Sequence, residues 1–139
     1  MKQLIFLVVA ISLFGSDFIA NSQKQVVLQL SKKLVWQDDS TSSERQMSYK
    51  SAMAYCETLE YDGKNNWRIP TAKELYSIID PNRTPTVHSA FSHTASERYW
   101  TLDTHIKGHV GIIDFSNGMK KSAYGYEEIC HIRCVSDLK

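Results

Sequence analysis

The sequence predicts an α+β domain in which two helices pack on a small antiparallel sheet, with a long structured loop between the helical and strand-rich parts. Three observations lead there. Short runs rich in β-branched and aromatic residues lie toward both ends of the chain. Two capped segments with helical spacing lie between them. Strands and helices do not alternate along the chain, so the order offers no βαβ unit and no parallel sheet.

Residues 26–30 (VVLQL) and 33–36 (KLVW) read as two short strands about Ser31-Lys32, and residues 37–45 (QDDSTSSER) as a polar loop. Ser48 caps a helix running to about Leu59, which places Ala52, Tyr55, Cys56 and Leu59 on one face. Gly63 and Asn65-Asn66 supply the turn that follows. Thr71-Ala72-Lys73-Glu74 is a capping box for the second helix: the hydroxyl accepts from the Glu74 amide while the carboxylate reaches back. Leu75, Ile78 and Ile79 form the apolar stripe of this helix, and Pro81 stops it. Residues 81–97, with two prolines and two histidines, read as a long ordered loop. Residues 99–102, 109–115, 119–124 and 129–135 read as strands, and Asn117-Gly118 is the strongest hairpin signal in the chain.

The first residues bear on compartment. Lys2 precedes an apolar run, residues 4–14 (LIFLVVAISLF), too short to span a bilayer. Ala20-Asn21-Ser22 fits a small-x-small cleavage pattern, which predicts a signal peptide over residues 1–22 and a single domain over 23–139. An uncleaved anchor is the alternative. The reading places the protein in the periplasm or at the cell surface, with no stable membrane span after cleavage. Loss of the leader removes Lys2 and Asp17, one charge of each sign, so the net charge stays at +1. Such a balance argues against a nucleic-acid binder, which needs a basic excess. Hydrophobic content of 42% against 22% charged residues indicates a folded chain.

Export permits disulfides, and with three cysteines one is odd. On a strand, Cys130, Ile132 and Cys134 share a face, and Cys130 lies roughly 13 Å from Cys134, beyond disulfide reach. Either can reach Cys56 if the first helix packs on that strand.

Several blocks in series resemble a known family: Leu34-Val35-Trp36-Gln37, Ala54-Tyr55-Cys56-Glu57-Thr58-Leu59, Trp67-Arg68-Ile69-Pro70-Thr71 with Glu74-Leu75, Tyr99-Trp100, Asp114-Phe115 with Gly118, and Ile132-Arg133-Cys134-Val135. Their order is similar to the carboxy-terminal domain family of the Legionella collagen-like protein, over residues 26–135. The resemblance implies a fold related to C-type lectins and formylglycine-generating enzymes, display outside the cytoplasm, and, from the founding protein, adhesion to sulfated glycans. It marks Trp36, Trp67, Arg68, Pro70, Thr71, Glu74, Trp100, Phe115, Gly118 and Arg133 as structural motif residues. It also implies a Cys56–Cys134 bridge, leaving Cys130 as a buried small hydrophobe or a thiol open to another chain. The family often carries a tryptophan shortly before the Asp-Phe pair, where this chain has Gly111.

The chemistry-bearing residues favour binding over catalysis. The three tryptophans suit sugar stacking, yet each adjoins core-type residues, and large aromatics dominate small cores. Arg68 and Glu74 read as a structural pair without a nucleophile or base beside them. His105 and His109 have the spacing of helical zinc ligands, but Gly108 and the following apolar run indicate turn and strand, which separate them too far for one metal. The calcium motifs of C-type lectins do not occur, and the Cys130/Cys134 spacing is not the cysteine pair of formylglycine-generating enzymes. No cofactor or metal is expected. Lys32, Lys33, Lys107, Lys120 and Lys121 fall at expected turns and strand ends, where they can meet an anionic ligand. The sequence thus reads as a non-catalytic exported module for a polysaccharide or sulfated glycan. The alternatives are an assembly partner of an envelope protein complex and, third, a relative of the formylglycine-generating enzymes.

Overall fold

The computed structural model describes residues 17–138. It is α+β, with two sheets where one was expected. The first sheet contains β1 (Phe18–Asn21), β2 (Val26–Gln29), β3 (Leu34–Gln37) and β9 (Val135–Asp137), antiparallel throughout and in the order β1-β2-β3-β9. The second contains β4 (Gln46–Met47), β5 (Arg98–Thr104), β6 (His109–Asp114), β7 (Met119–Tyr124) and β8 (Cys130–His131), in the order β4-β8-β5-β6-β7. The helices are α1 (Ser40–Glu44), α2 (Tyr49–Thr58) and α3 (Ala72–Tyr76).

Local chemistry explains the helix ends. Ser48 caps α2 by accepting from the Ser51 amide, and Ala52 and Cys56 form its fully buried face. Thr71 and Glu74 close the capping box of α3 in both directions. Helix α3 ends at Tyr76, before Pro81, because the Ser77 amide turns back to the carbonyls of Lys73, Glu74 and Leu75. The segment expected as a polar loop over 37–45 instead holds α1, which Asp39 caps by accepting from the Ser42 amide.

The last strand departs from expectation. The run 129–135 is split: β8 joins the second sheet and β9 the first, with residues 132–134 crossing between them. Residue Tyr99 pairs with His131 in parallel, so the expectation of a purely antiparallel arrangement fails at this one ladder. Strand pairing there closes a long-range crossover rather than a hairpin, and no helix needs to intervene.

Two core clusters fill the space around these sheets. Beneath α2 lie Val35, Ala52, Cys56, Trp67, Trp100, Ile112, Cys130, Ile132 and Cys134. Beside α3 lie Val27, Leu34, Trp36, Leu75, Ile78, Phe91, Tyr99, Ile113 and Phe115. Successive residues of β5 and β6 go to opposite clusters, as strand alternation requires, so both faces of the sheet centre are covered. That is why 110–113 reads as a continuous apolar run.

Residues 1–16 of the expected leader lie outside the described residues, as does Lys139. The rest of it does not: Phe18–Asn21 pairs along its whole length with β2. Among the described residues no helix is long and apolar enough to cross a membrane.

Candidate functional site

Of the family-type motif residues, Trp36, Trp67, Pro70, Trp100, Phe115 and Arg133 lie inside the fold, and Arg68, Thr71, Glu74 and Gly118 are half-buried. Trp36 and Trp100 are fully buried and Trp67 is 3% exposed, so none offers a face to a sugar. Each indole N–H finds an acceptor: Trp36 at the Gln29 amide oxygen, Trp67 at the carbonyls of Tyr61 and Lys64, Trp100 at the Met47 carbonyl. Arg68 forms a two-pronged pair with Glu74 at 2.7 and 2.8 Å, and Glu74 also accepts from the Thr71 amide. Burial alone would raise the Glu74 carboxyl, but the Arg68 and Thr71 hydrogen bonds outweigh it and hold it below the usual carboxylate range. The backbone of Arg68 exchanges both hydrogen bonds with Val135, tying this block to β9. The Pro70 carbonyl accepts from Leu102, and Phe115 packs edge-on against Tyr99. Gly118 sits in the β6–β7 turn at φ +76°, a conformation that glycine adopts without strain. Its neighbour Asn117 is not at positive φ, and the loop spans four residues, so this is not a two-residue Asn-Gly turn.

Cys56 and Cys134 are bridged, and Cys130 is a free thiol only 1% exposed. Burial pushes that thiol up to about 11. Of the two roles the resemblance left for Cys130, the buried small hydrophobe is the one its surroundings fit.

The five lysines do not converge. Lys32 and Lys33 occupy the β2–β3 turn of the first sheet, with Lys33 at φ +54°. Lys107 is exposed at the tip of the β5–β6 turn, with φ +59°. Lys120 and Lys121 line a cleft of about 450 Å³ together with Ala72, Asp103, His105, Gly111, Ile112 and Ser122. Strand alternation sends the two lysines to opposite faces. Lys120 extends over the Tyr76 ring at 4.8 Å, and Lys121 reaches Asp114 at 3.3 Å.

Gly111 makes the cleft. A side-chain carbon there would stand 3.1 Å from the Thr101 hydroxyl and 3.4 Å from both Asp103 and His105. Asp103 is held in place by accepting from the Ala72 amide at the start of α3. His105 also borders a second, mostly apolar hollow of about 250 Å³, walled by Tyr49, His109, Val110, Gly125 and Tyr126. Tyr126 is 72% exposed and Ile106 79%. The Tyr126 ring crosses so close to Gly108 that a side-chain carbon there would lie 2.7 Å from it, at a φ of +78° that already favours glycine. The His109 and Tyr124 rings meet beside it, tilted, with centroids 4.2 Å apart. Sequence reading missed Tyr49, Tyr76, Tyr124 and Tyr126 here. The only available signal was two tyrosines flanking Gly125.

His105 and His109 sit on either side of the β5–β6 turn, with the His105 amide donating to the His109 carbonyl. Among the described residues no group of three or more histidine, cysteine or acidic side chains is placed to hold a metal ion.

No curated protein matches the chain. The Lcl C-terminal domain model matches residues 25–136, from the start of the β2 strand region to β9, and the protein belongs to that family.

Proposed function

We propose that this chain is an exported, non-catalytic binding module of C-type-lectin-like fold that holds an anionic polysaccharide in the cleft beside Gly111, where β7 edges the second sheet. One observation carries the reading. The cleft opened by Gly111 is lined by Lys120 and Lys121, with the Lys120 ammonium on the Gly111 side and Lys121 turned to Asp114, and it shares His105 with a separate hollow walled by Tyr49 and Tyr126. A sugar presents an apolar ring face and, when sulfated or carboxylated, an anion one bond away. An aromatic wall suits the first and an ammonium group the second. Lys107, at the neighbouring turn, extends the basic rim. Lys32 and Lys33 belong to the other sheet and stand outside this site. The non-catalytic part of the reading draws support from the cysteines, one pair bridged and the third buried, which leaves no exposed thiol pair of the formylglycine-generating type.

The test is binding of the purified domain to heparin-like and to neutral polysaccharides across a salt series. Binding to the sulfated polymer should weaken steeply with salt, because screened charges carry it. It should fall about tenfold or more in a Lys120→Ala/Lys121→Ala variant and in Gly111→Trp, which fills the cleft. A chelator should change nothing. Binding that survives high salt but vanishes with chelator overturns the proposal.

A second reading, an assembly partner in an envelope protein complex, is favoured by the exposed apolar Ile106 and Tyr126 at the same end of the sheet. It predicts co-purification with a protein, abolished by Ile106→Glu, and no glycan signal.

A further inference from the structure

We propose that residues 17–24 are retained in the mature protein as a built edge strand, so that the leader ends before Asp17 and the Ala20-Asn21-Ser22 junction is not used. The proposal rests on the export reading for its leader, and on the structure for everything else. Four register pairs, Phe18↔Gln29 through Asn21↔Val26, join β1 to β2. Both ends of the hairpin are fastened. The Asp17 carbonyl accepts from Leu30, and its carboxylate takes the Ser31 amide and hydroxyl at 2.6 Å each. At the tight end, the Asn21 side chain accepts from the Lys24 amide at 3.0 Å. Phe18 packs on the α3-side core, its ring centroid 4.3 Å from His88 and 5.8 Å from Phe91.

The strand also covers something. A small, partly open hollow of about 50 Å³ lies between Ala20 and Asn21 on one side and Asp38 and His93 on the other. Asp38 is the partner of the fully buried Arg133. A cut after Ser22 would strip this cover, open the ion pair to water and leave the β2 backbone, whose Val26 and Val27 are core residues, as a raw sheet edge. Strand β1 and its turn, residues 17–24, lie ahead of residue 25, where the family match begins, while β2 and the other partners lie within it.

Two measurements decide it. The first is the amino-terminal sequence of protein recovered outside the cytoplasm, from the native chain and from an Ala20→Leu/Ser22→Leu variant. Both altered positions are exposed, and large residues there block a cut after Ser22. The expected result is one shared start at or before Asp17. A native start at Gln23, or processing lost in the variant, overturns the proposal. Recovery of intact Met1 keeps the strand in place and defeats the cleavage reading instead. The second compares the melting of proteins beginning at Asp17 and at Gln23. The shorter should melt at least about 5 °C lower or fail to fold. Equal melting overturns the proposal.

Discussion

The Arg133 guanidinium meets the Asp38 carboxylate at 3.0 Å with the arginine fully buried, and this pair fastens the long loop to the seam between the two sheets. Asp38 also accepts from the amides of Ser92 and His93, and Arg133 donates to the His93 carbonyl and the Thr94 hydroxyl. The Phe91 ring lies 4.8 Å from the guanidinium. Asp38→Ala removes one partner and leaves a buried cation, so it should cost about 3–5 kcal/mol in urea unfolding. Arg133→Met, which matches the volume without the charge, leaves Asp38 with its two amide donors and should cost less. A loss below about 1 kcal/mol in Asp38→Ala would show that the charge pairing is not what holds this loop.

Removal of the Cys56–Cys134 bridge frees a loop spanning a sequence separation of 78 residues. In the chain-entropy account a Cys56→Ala/Cys134→Ala protein should lose about 4 kcal/mol, and native protein under reductant should show the same shift. A loss below about 1 kcal/mol would contradict this account.

The Cys130 thiol should resist alkylation at pH 8 in the folded protein and react at once in denaturant. Its titration is displaced to about 11 and its surface is covered. Mass spectrometry after brief iodoacetamide treatment reads the outcome. Rapid labelling of the native state would mean that β8 opens readily.

Glu74 ties acid sensitivity to the second helix. Its folded pKa lies below the unfolded value of about 4.3, so its contribution is complete above that value and disappears as pH falls through the folded pKa. Glu74→Gln should cost about 1–3 kcal/mol at pH 7, the cost of a lost charged hydrogen-bond pair. The gap from wild type should narrow below about pH 4. A gap that does not change with pH would leave only the cap geometry as the cause.

Features written in local chemistry were legible. The Ser48 cap and the Thr71/Glu74 box depend on residues three apart, and both helices start where those residues put them. Helix α1 was missed because its cap, Asp39, precedes a serine-rich turn with no apolar stripe, and Ser42 is its one buried residue. The division of 129–135 between two sheets was not legible, since period-2 alternation continues unchanged while the backbone changes partners. Strand β1 was obscured by its position after an apolar run. At the candidate site, the lysines were visible as charges, but which of them share a cleft depends on Gly111 and on the tertiary approach of α3 to β6.

The crossing of the last segment between sheets sets the order of events during biogenesis. Met47 pairs with Cys130, Asp38 with Arg133, Cys56 with Cys134 and Trp36 with Val135, so the six positions 130–135 touch four places in the first half of the chain. A growing polypeptide lacks these partners until residues 130–135 have emerged. Closure is a late event with high contact order.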